Sequence, residues 1–596
     1  MIVPGLYVPR HVAAGIKPNH KGGRMDVIVH GADSETFHGR PMTLQFYSGD
    51  LEYEQCLWVD EHTATQGFFE WAESLPRQCL HVVYCHNLDF DLPEFFWSFK
   101  EELITAGGDF TIEHGGWSIR GVYGRPTFAR LTHRKQNRQI LIVDSFLWFQ
   151  GTLAKAAELF CPELPKLKRL KNLGTKLFKM NDEEFYNYAM RDSVIAYHIG
   201  KSVQKIIQQF EIMQPVSLAD MSAKIFRHHF LKKRIPACGN MQTSAALFSY
   251  HGGKNNVVTD AAPGWHTDVT AMDISSAYPY AMSQLPSMSI EKNYKRMSMT
   301  RNPTCDSVPE LGVYKCSGTA HVCEWPVVFQ HNFKPIQGRF TDVWIQGIEL
   351  NEALRTGEVT LTKIRGYYYD SERDSIPSPF KAYCEHFYKL KQTETNPVLR
   401  YMYKLILNSV YGKFIQTHKQ SRIIYTDVDS GTTQETHDLI AGGMFHPFIA
   451  SAITAHTRAY IHQLEHEHKA IHTATDGIYT KYKRIRRVPM APISGLGSME
   501  IEGRGDLVLL RNKCYILYGT SGKLKSQHFR GKYIDKFAKH GFQGTVFDLE
   551  KCVAHNVRRY TVTRPNRLKE SLKRGLNVNE FVERDFVLRV GPIGVK

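Results

Sequence analysis

Alternating apolar and polar positions recur along the chain, interrupted by a few stretches at helical spacing. The β-branched run MDVIVHGADSETF at residues 25–37 and the apolar run HVVYC at 81–85 read as buried central strands. Phe185, Ala189, Val194 and Ile195 recur at roughly helical spacing in residues 183–200. Val269 and Ala271 alternate with Asp268 and Thr270 after Pro263-Gly264, predicting a strand that ends at Asp273, where Ser275, Ser276 and Pro279 turn the chain away. Segments 311–322 and 358–369 read as further strands, and 381–392 and 399–414 as two helices joined by a loop containing Pro397. KAIHTATDGIYTKYK at 469–483 reads as a hairpin with Asp476-Gly477 in its turn.

Length and charge narrow the class. A chain of 596 residues predicts two to four domains, and 42% apolar residues support a sizeable core. The formal charge of +16, with pI near 9.1, favours a polyanionic partner, since neutralising phosphates releases counterions. No apolar run approaches the ~18 residues of a spanning helix, and the first residues lack a signal-peptide apolar region. The expectation is a soluble protein of the cytoplasm, of the host cell if viral, with no membrane partner. The 11 cysteines include no CxxC pair. Cys305, Cys316 and Cys323 lie near His321 but match no tight ligand spacing, so neither a structural metal nor a disulfide is expected.

Carboxylates carry the chemistry. Asp33 and Glu35 are two apart and face one side of an extended chain. Asp91 follows the 81–85 strand, and on the 183–200 helix Tyr188 and Asp192 are i and i+4. Four such acids can hold two divalent ions for phosphodiester hydrolysis, with Tyr188 orienting water. A second pair is Asp273, whose neighbour Ile274 offers a backbone carbonyl ligand, and Asp476 in the hairpin. Lys404, Asn408 and Tyr411, at i, i+4 and i+7, form one helical stripe; Gly412 leaves room for close approach, and Lys391 is a second possible phosphate contact. In SYHGG, Tyr250 precedes Gly252 and Gly253, whose freedom at positive φ allows either a tight turn or a close ligand approach.

AMDISSAYPY (271–280), KLILNSVYGKF (404–414) and HTATDGIYTK (472–481), in this order and spacing, resemble motifs A, B and C of family B DNA polymerases. DSET, HNLDFD and YAMRD resemble the Exo I, II and III motifs of 3′–5′ proofreading exonucleases, and YHGG resembles the YxGG/A motif of the protein-primed subgroup. The resemblance covers about residues 26–530. It implies an α/β, α+β multidomain chain: an RNase H-like exonuclease domain followed by a right-hand polymerase with palm, fingers and thumb. The implied partition is an arm at 1–25, exonuclease at 26–215, linker and first palm segment at 216–285, and a terminal protein region 1-like insertion at 286–374. Fingers at 375–416, a region 2-like insertion at 417–439, second palm segment at 440–512 and thumb at 513–596 complete it.

The resemblance further implies a DNA-directed DNA polymerase, protein-primed, copying a viral or mobile-element genome. Catalytic residues would be Asp273 and Asp476 for synthesis and Asp33, Glu35, Asp91, Tyr188 and Asp192 for proofreading, with two Mg²⁺ ions per site (Mn²⁺ as a substitute). Metal ligands would be those six acids and Ile274. Nucleotide contacts would be Ile274, Tyr278, Lys391, Lys404, Asn408 and Tyr411. DNA contacts would be Thr36, Asn87, Phe90, Ser145, Tyr250, Gly252, Gly253, Gly412, Lys513 and Tyr515. Partners would be template and primer 3′ end, dNTPs and a terminal protein. A lysine among Lys166, Lys168, Lys171, Lys176 and Lys179 would assist the exonuclease. The chain departs from the family's DTDS motif C: Ala474 stands at the first aspartate and Gly477 at the serine. A primer-independent polymerase–primase and a polymerase-inactive single-strand nuclease remain open alternatives.

Overall fold

The computed structural model describes residues 6–19, 26–257, 264–299, 303–321, 337–427, 432–528, 559–565 and 581–587, apart from 107, 125, 174, 176, 177, 180, 181, 305, 306, 512, 513, 522 and 523. The architecture is mixed α/β, with two large sheets joined through a helical layer.

The first sheet has eight strands. Val27–Phe37, Leu80–Cys85 and Arg138–Asp144 lie parallel at its centre; Arg40–Ser48 and Tyr53–Trp58 extend one side, and Phe128–His133, Trp117–Val122 and Asp109–His114 the other, all antiparallel. The central strands are buried on both faces, which is why Leu80–Cys85 carries no alternation. Helix Glu183–Gln209 lies across Val27–Phe37. Asp182 starts it by accepting from the Phe185 N–H at 3.0 Å, and Glu183 and Glu184 favour the positive end of its dipole. Gly31 makes this packing possible: a Cβ there would lie 1.8 Å from the Ser193 carbonyl oxygen.

The second sheet has seven strands, in the order Lys254–Val257, His472–Thr475, Gly477–Thr480, Gly264–Ile274, Met499–Arg511, Cys514–Gly519 and Leu524–His528, antiparallel throughout. Helix Pro447–His468, buried along most of its length, leads into the His472–Thr475 strand.

Just past the expected boundary at 215/216, Met221, Ile225, Phe226 and Leu231 are buried in a core continuous from Val29 and Tyr84 of the first sheet to Phe387, Ile406 and Ile453 beside the second. Residues 286–374 hold a four-stranded sheet, Tyr294–Met299, Val359–Tyr369, Gly312–Ala320 and Gly338–Gln346 in spatial order, with helix Gly347–Thr356. This sheet has its own core around Tyr314, Cys316, Leu361 and Ile364. In the 417–439 stretch, strand Thr417–Asp427 pairs with Thr432–Ala441, and Leu6–Tyr7 adds a parallel third strand. Pro397 falls in the first turn of helix Pro397–Ser409, capped by Asn396, and not in the preceding loop.

Gly31→Ala should destabilise the chain by about 1–3 kcal/mol, because backbone rather than a side-chain tip occupies the space. The denaturation midpoint should fall with an unchanged m-value; an unchanged midpoint would refute the packing argument.

Candidate active sites

Sheet register builds the first site. Asp273 stands opposite Gly477 on one side and Glu500 on the other. One residue on, the Ile274 N–H donates to the Asp476 carbonyl at 3.0 Å, which pins the hairpin to the strand end. Asp273 and Asp476 are thus brought together. Burial, then the Asp476 and Glu502 carboxylates, push Asp273 up to about 8, against the opposing backbone N–H of Ile274. Asp476 is raised too, by burial and then Glu502. Glu500 and Glu502 were not anticipated from the sequence. Their signal was present in MEIEG: acids two apart on a strand, the spacing that marked Asp33 and Glu35.

The hairpin turn differs from an Asp-Gly turn. Ala474 pairs with Gly477, the Asp476 N–H donates to the Ala474 carbonyl at 2.8 Å, and positive φ (65°) falls on Thr475. A β-branched residue in that region is strained, a feature that clusters at functional sites. Gly477 is needed for space: a Cβ would lie 3.0 Å from the Met272 carbonyl oxygen and 3.1 Å from Asp273 Oδ1.

Above the acids, the Tyr278 and Tyr411 rings stack with centroids 4.4 Å apart and planes 3° from parallel. Gly253 packs under them; its Cβ would meet Tyr278 Oη at 2.7 Å and Thr475 Cγ2 at 2.6 Å. Neither Gly252 nor Gly253 takes positive φ, so close approach, and only at Gly253, is what glycine serves here. Tyr250 is half-buried and close enough to raise the Tyr411 pKa. Arg458, 2% exposed, donates to the Gly252 carbonyl at 2.8 Å and to both Glu349 oxygens at 2.6 and 2.7 Å, joining this loop to helix Gly347–Thr356.

Lys404 is exposed, and half-buried Lys391 is lowered by burial and by the Lys404 charge, with Glu500 opposing. Lys391, Lys404 and Glu500 therefore lie within electrostatic reach of one another. Asn408 donates to the Lys404 carbonyl at 3.0 Å. The α-helix ends at Ser409 and Tyr411 opens a tighter 3₁₀ turn, so the expected stripe is helical only as far as Asn408. Gly412 faces open space. Tyr515 is buried against Tyr479 and His472, each with ring centroids 5.0 Å away, and the nearby Glu502, Asp476 and Asp273 add to burial in raising it. Lys513 lies outside the described residues.

The second site sits at the first sheet. Asp33 is raised well above the carboxylate range by burial and then by Asp91, Asp192 and Glu35, so the four acids converge. Glu35 is pushed up to about 7 by burial and Asp192. Ser34 Oγ donates to Asp91 Oδ1 at 2.7 Å. Of the five lysines left open, Lys166 donates from Nζ to Asp192 Oδ2. Tyr188, one turn before Asp192, is raised by burial, Glu35 and Asp192. Asn87, left-handed at φ 72°, and Phe90 are exposed at the rim, and Thr36 is half-buried. Ser145 is fully buried and hydrogen-bonded through Oγ to His86 Nδ1 at 2.9 Å, and the neighbouring Asp144 accepts from the Asn87 and Phe146 N–H groups.

Both donor sets are carboxylate oxygens crowded until their charges oppose ionisation, the environment a hard divalent cation relieves. Solved structures of phi29 DNA polymerase, with primer-template DNA and in a ternary complex with incoming nucleotides, share the fold at TM-scores of 0.65 and 0.67. At 16% identity, each covers 94% of this chain and 100% of its own. The chain belongs to the family DNA polymerase type B, organellar and viral, whose model matches residues 175–489. It is 24% identical to the DNA-directed DNA polymerase of Enterobacteria phage PRD1 over 82% of this chain and 81% of that one. It is 22% identical to a probable DNA polymerase of Agaricus bitorquis over 50% of this chain, spanning 38% of that protein. It is thus a DNA-directed DNA polymerase of the viral type, and its family implies dependence on divalent metal. Among the described residues no helix is long and apolar enough to cross a membrane.

The raised acids set a pH dependence. Without cations the folded chain holds protons that the unfolded chain releases near pH 4, so its stability falls as pH rises from about 4 through about 8. In EDTA the thermal midpoint should drop across that window, and Mg²⁺ should raise it more at pH 8 than at pH 6. A Mg²⁺ shift independent of pH would contradict the assignment.

Proposed function

We propose that the chain is a protein-primed DNA polymerase with 3′–5′ proofreading, its two reactions run by the two carboxylate centres. The observation that carries the synthetic half is the register placing Asp273 beside the Asp476 hairpin. Asp273, Asp476 and the Ile274 carbonyl would hold Mg²⁺, two ions per site. Bound there, the ions activate the primer 3′-hydroxyl and neutralise charge on the triphosphate. Mg²⁺ fits because every donor is a hard oxygen. Glu502, within electrostatic reach of both aspartates, keeps acidic character at a centre where Ala474 replaces the first motif C aspartate.

The chain's own groups do the rest. Tyr278 lies under the incoming sugar and Tyr411 packs against the nascent base pair. Lys404 and Lys391 balance phosphate charge, the main requirement of phosphoryl transfer. Tyr250, Gly252 and Gly253 guide the template strand, while Gly412, Lys513 and Tyr515 track the primer. At the second centre Asp33, Glu35, Asp91 and Asp192 hold the ions for hydrolysis. Tyr188 orients water, Lys166 steadies Asp192, and Thr36, Asn87 and Phe90 receive the single-stranded 3′ end. The 286–374 and 417–439 insertions, which interrupt the polymerase half, suit contact with a priming protein and with DNA. Residues 26–215 form the exonuclease unit, 375–416 the fingers, and 216–285 with 440–512 the palm.

Asp273→Ala or Asp476→Ala should cut primer extension by at least about 10²–10³-fold, the scale of losing one electrostatic stabiliser, while 3′–5′ degradation of single strands persists. Asp33→Ala should do the reverse. Loss of both activities from one such change in a folded protein would overturn the two-centre assignment. Protein priming predicts deoxynucleotidylation of a terminal protein; product from template and dNTPs alone would overturn it in favour of primer-independent synthesis.

A further inference from the structure

Away from both acid centres, helix Pro447–His468 carries His462 and His466 one turn apart, on one face. Facing them is Glu358, just beyond helix Gly347–Thr356 of the insertion. Its backbone is set by a C-terminal cap: Gly357 is left-handed at φ 72°, and the Glu358 N–H donates to the Ala353 carbonyl at 3.0 Å. The carboxylate is held between the two imidazoles, with His462 Nε2 3.1 Å from Oε2 and His466 Nε2 3.2 Å from Oε1. One ligand atom from each of the three side chains falls within 4.8 Å of the other two.

We propose that Glu358, His462 and His466 form a binding site for a zinc-class divalent transition metal. Bonds of about 2.0–2.2 Å at tetrahedral angles put ligand atoms about 3.3 Å apart, and each imidazole Nε2 lies near that distance from one carboxylate oxygen, at 3.1 and 3.2 Å. Two imidazole nitrogens and one carboxylate select zinc-class ions over Mg²⁺, which prefers oxygen alone. His462 is fully buried and Glu358 nearly so, whereas the His466 side chain is 54% exposed, leaving an entry path and room for water as the fourth ligand. The neighbouring Lys254 and Glu465, both buried, pair with each other at 2.5 Å and add no net charge. His468 is engaged elsewhere, with Nδ1 near the Leu464 carbonyl at 3.0 Å and Nε2 near the Arg486 N–H at 2.9 Å. A bound ion would tie the insertion to the helix that runs into the Asp476 hairpin, independently of the nucleotidyl-transfer ions.

The test is zinc retention by the full chain, stripped of metal and then reloaded with Zn²⁺ alone under excess Mg²⁺ to fill the carboxylate centres. Loss of an outer-shell partner costs about 10–100-fold in metal affinity, so loss of a ligand in His466→Ala should cost about 100-fold or more. Wild type should keep one more zinc per chain than His466→Ala through gel filtration, and Zn²⁺ should raise the thermal midpoint of wild type only. Co²⁺ in place of Zn²⁺ should give the visible absorption of a four-coordinate site, absent in His466→Ala. Glu358→Gln, which keeps side-chain shape, should lose the ion as well, guarding against a folding artefact. Equal zinc content in wild type and His466→Ala, or none in either, would reduce the cluster to a carboxylate bridging two imidazoles and overturn the proposal.

Discussion

The mutual repulsion of buried carboxylates is the constraint around which this molecule is built. Burial, Asp476 and Glu502 oppose the ionisation of Asp273, and burial, Asp91, Asp192 and Glu35 oppose that of Asp33 at the other sheet. Left to themselves, such groups would move apart or take up protons. Rigid backbone prevents the first: antiparallel register fixes Asp273 between Gly477 and Glu500, and Gly31 lets the Asp192 helix lie directly on the Asp33 strand. The surrounding cores maintain a local arrangement that is unfavourable until a cation arrives.

The two centres are held by unlike means. At the first sheet the acids come from a strand and from two helices, and Lys166 offsets part of the charge from within the chain. At the second sheet the acids come from two adjacent strands and a neighbouring hairpin turn, with Lys391 and Lys404 standing further off on the helices beyond. Positive charge is thus joined to an acid at one centre and stands apart from the acids at the other. The helical joint at 214–240 and the continuous core beneath it make the two sheets one packed body.

Much of this was legible in the residues, and the rest was not for identifiable reasons. Acids at spacing two on a strand, or one turn from a tyrosine on a helix, announce their common face, so Asp33, Glu35, Tyr188 and Asp192 could be read directly. Asp476 could be read from its hairpin, but the turn itself could not: the Ile274 N–H binds the Asp476 carbonyl, a long-range contact, and the positive φ falls on Thr475. Ser145 looked available and is buried, since its direction depends on His86, distant in sequence. Glu500 and Glu502 show their spacing in the sequence but not their place, because only pairing sets Glu500 opposite Asp273 and brings Glu502 within electrostatic reach of it. Which of five lysines meets Asp192, and how Glu358 meets two histidines, are long-range facts that local pattern does not encode.

The short strand Leu6–Tyr7 lies parallel to Thr432–Ala441, on the far side of the chain in sequence. During synthesis at roughly 5–20 residues per second, its partner emerges about 20–90 s after it does. Over that time the first sheet has both edges and all its strands at hand, while this small ribbon waits with unpaired backbone. That parallel pairing must therefore wait until residue 440 has been made, with the strands of the second sheet at 472–528 still to follow, and a ribosome stalled earlier would leave that seam open.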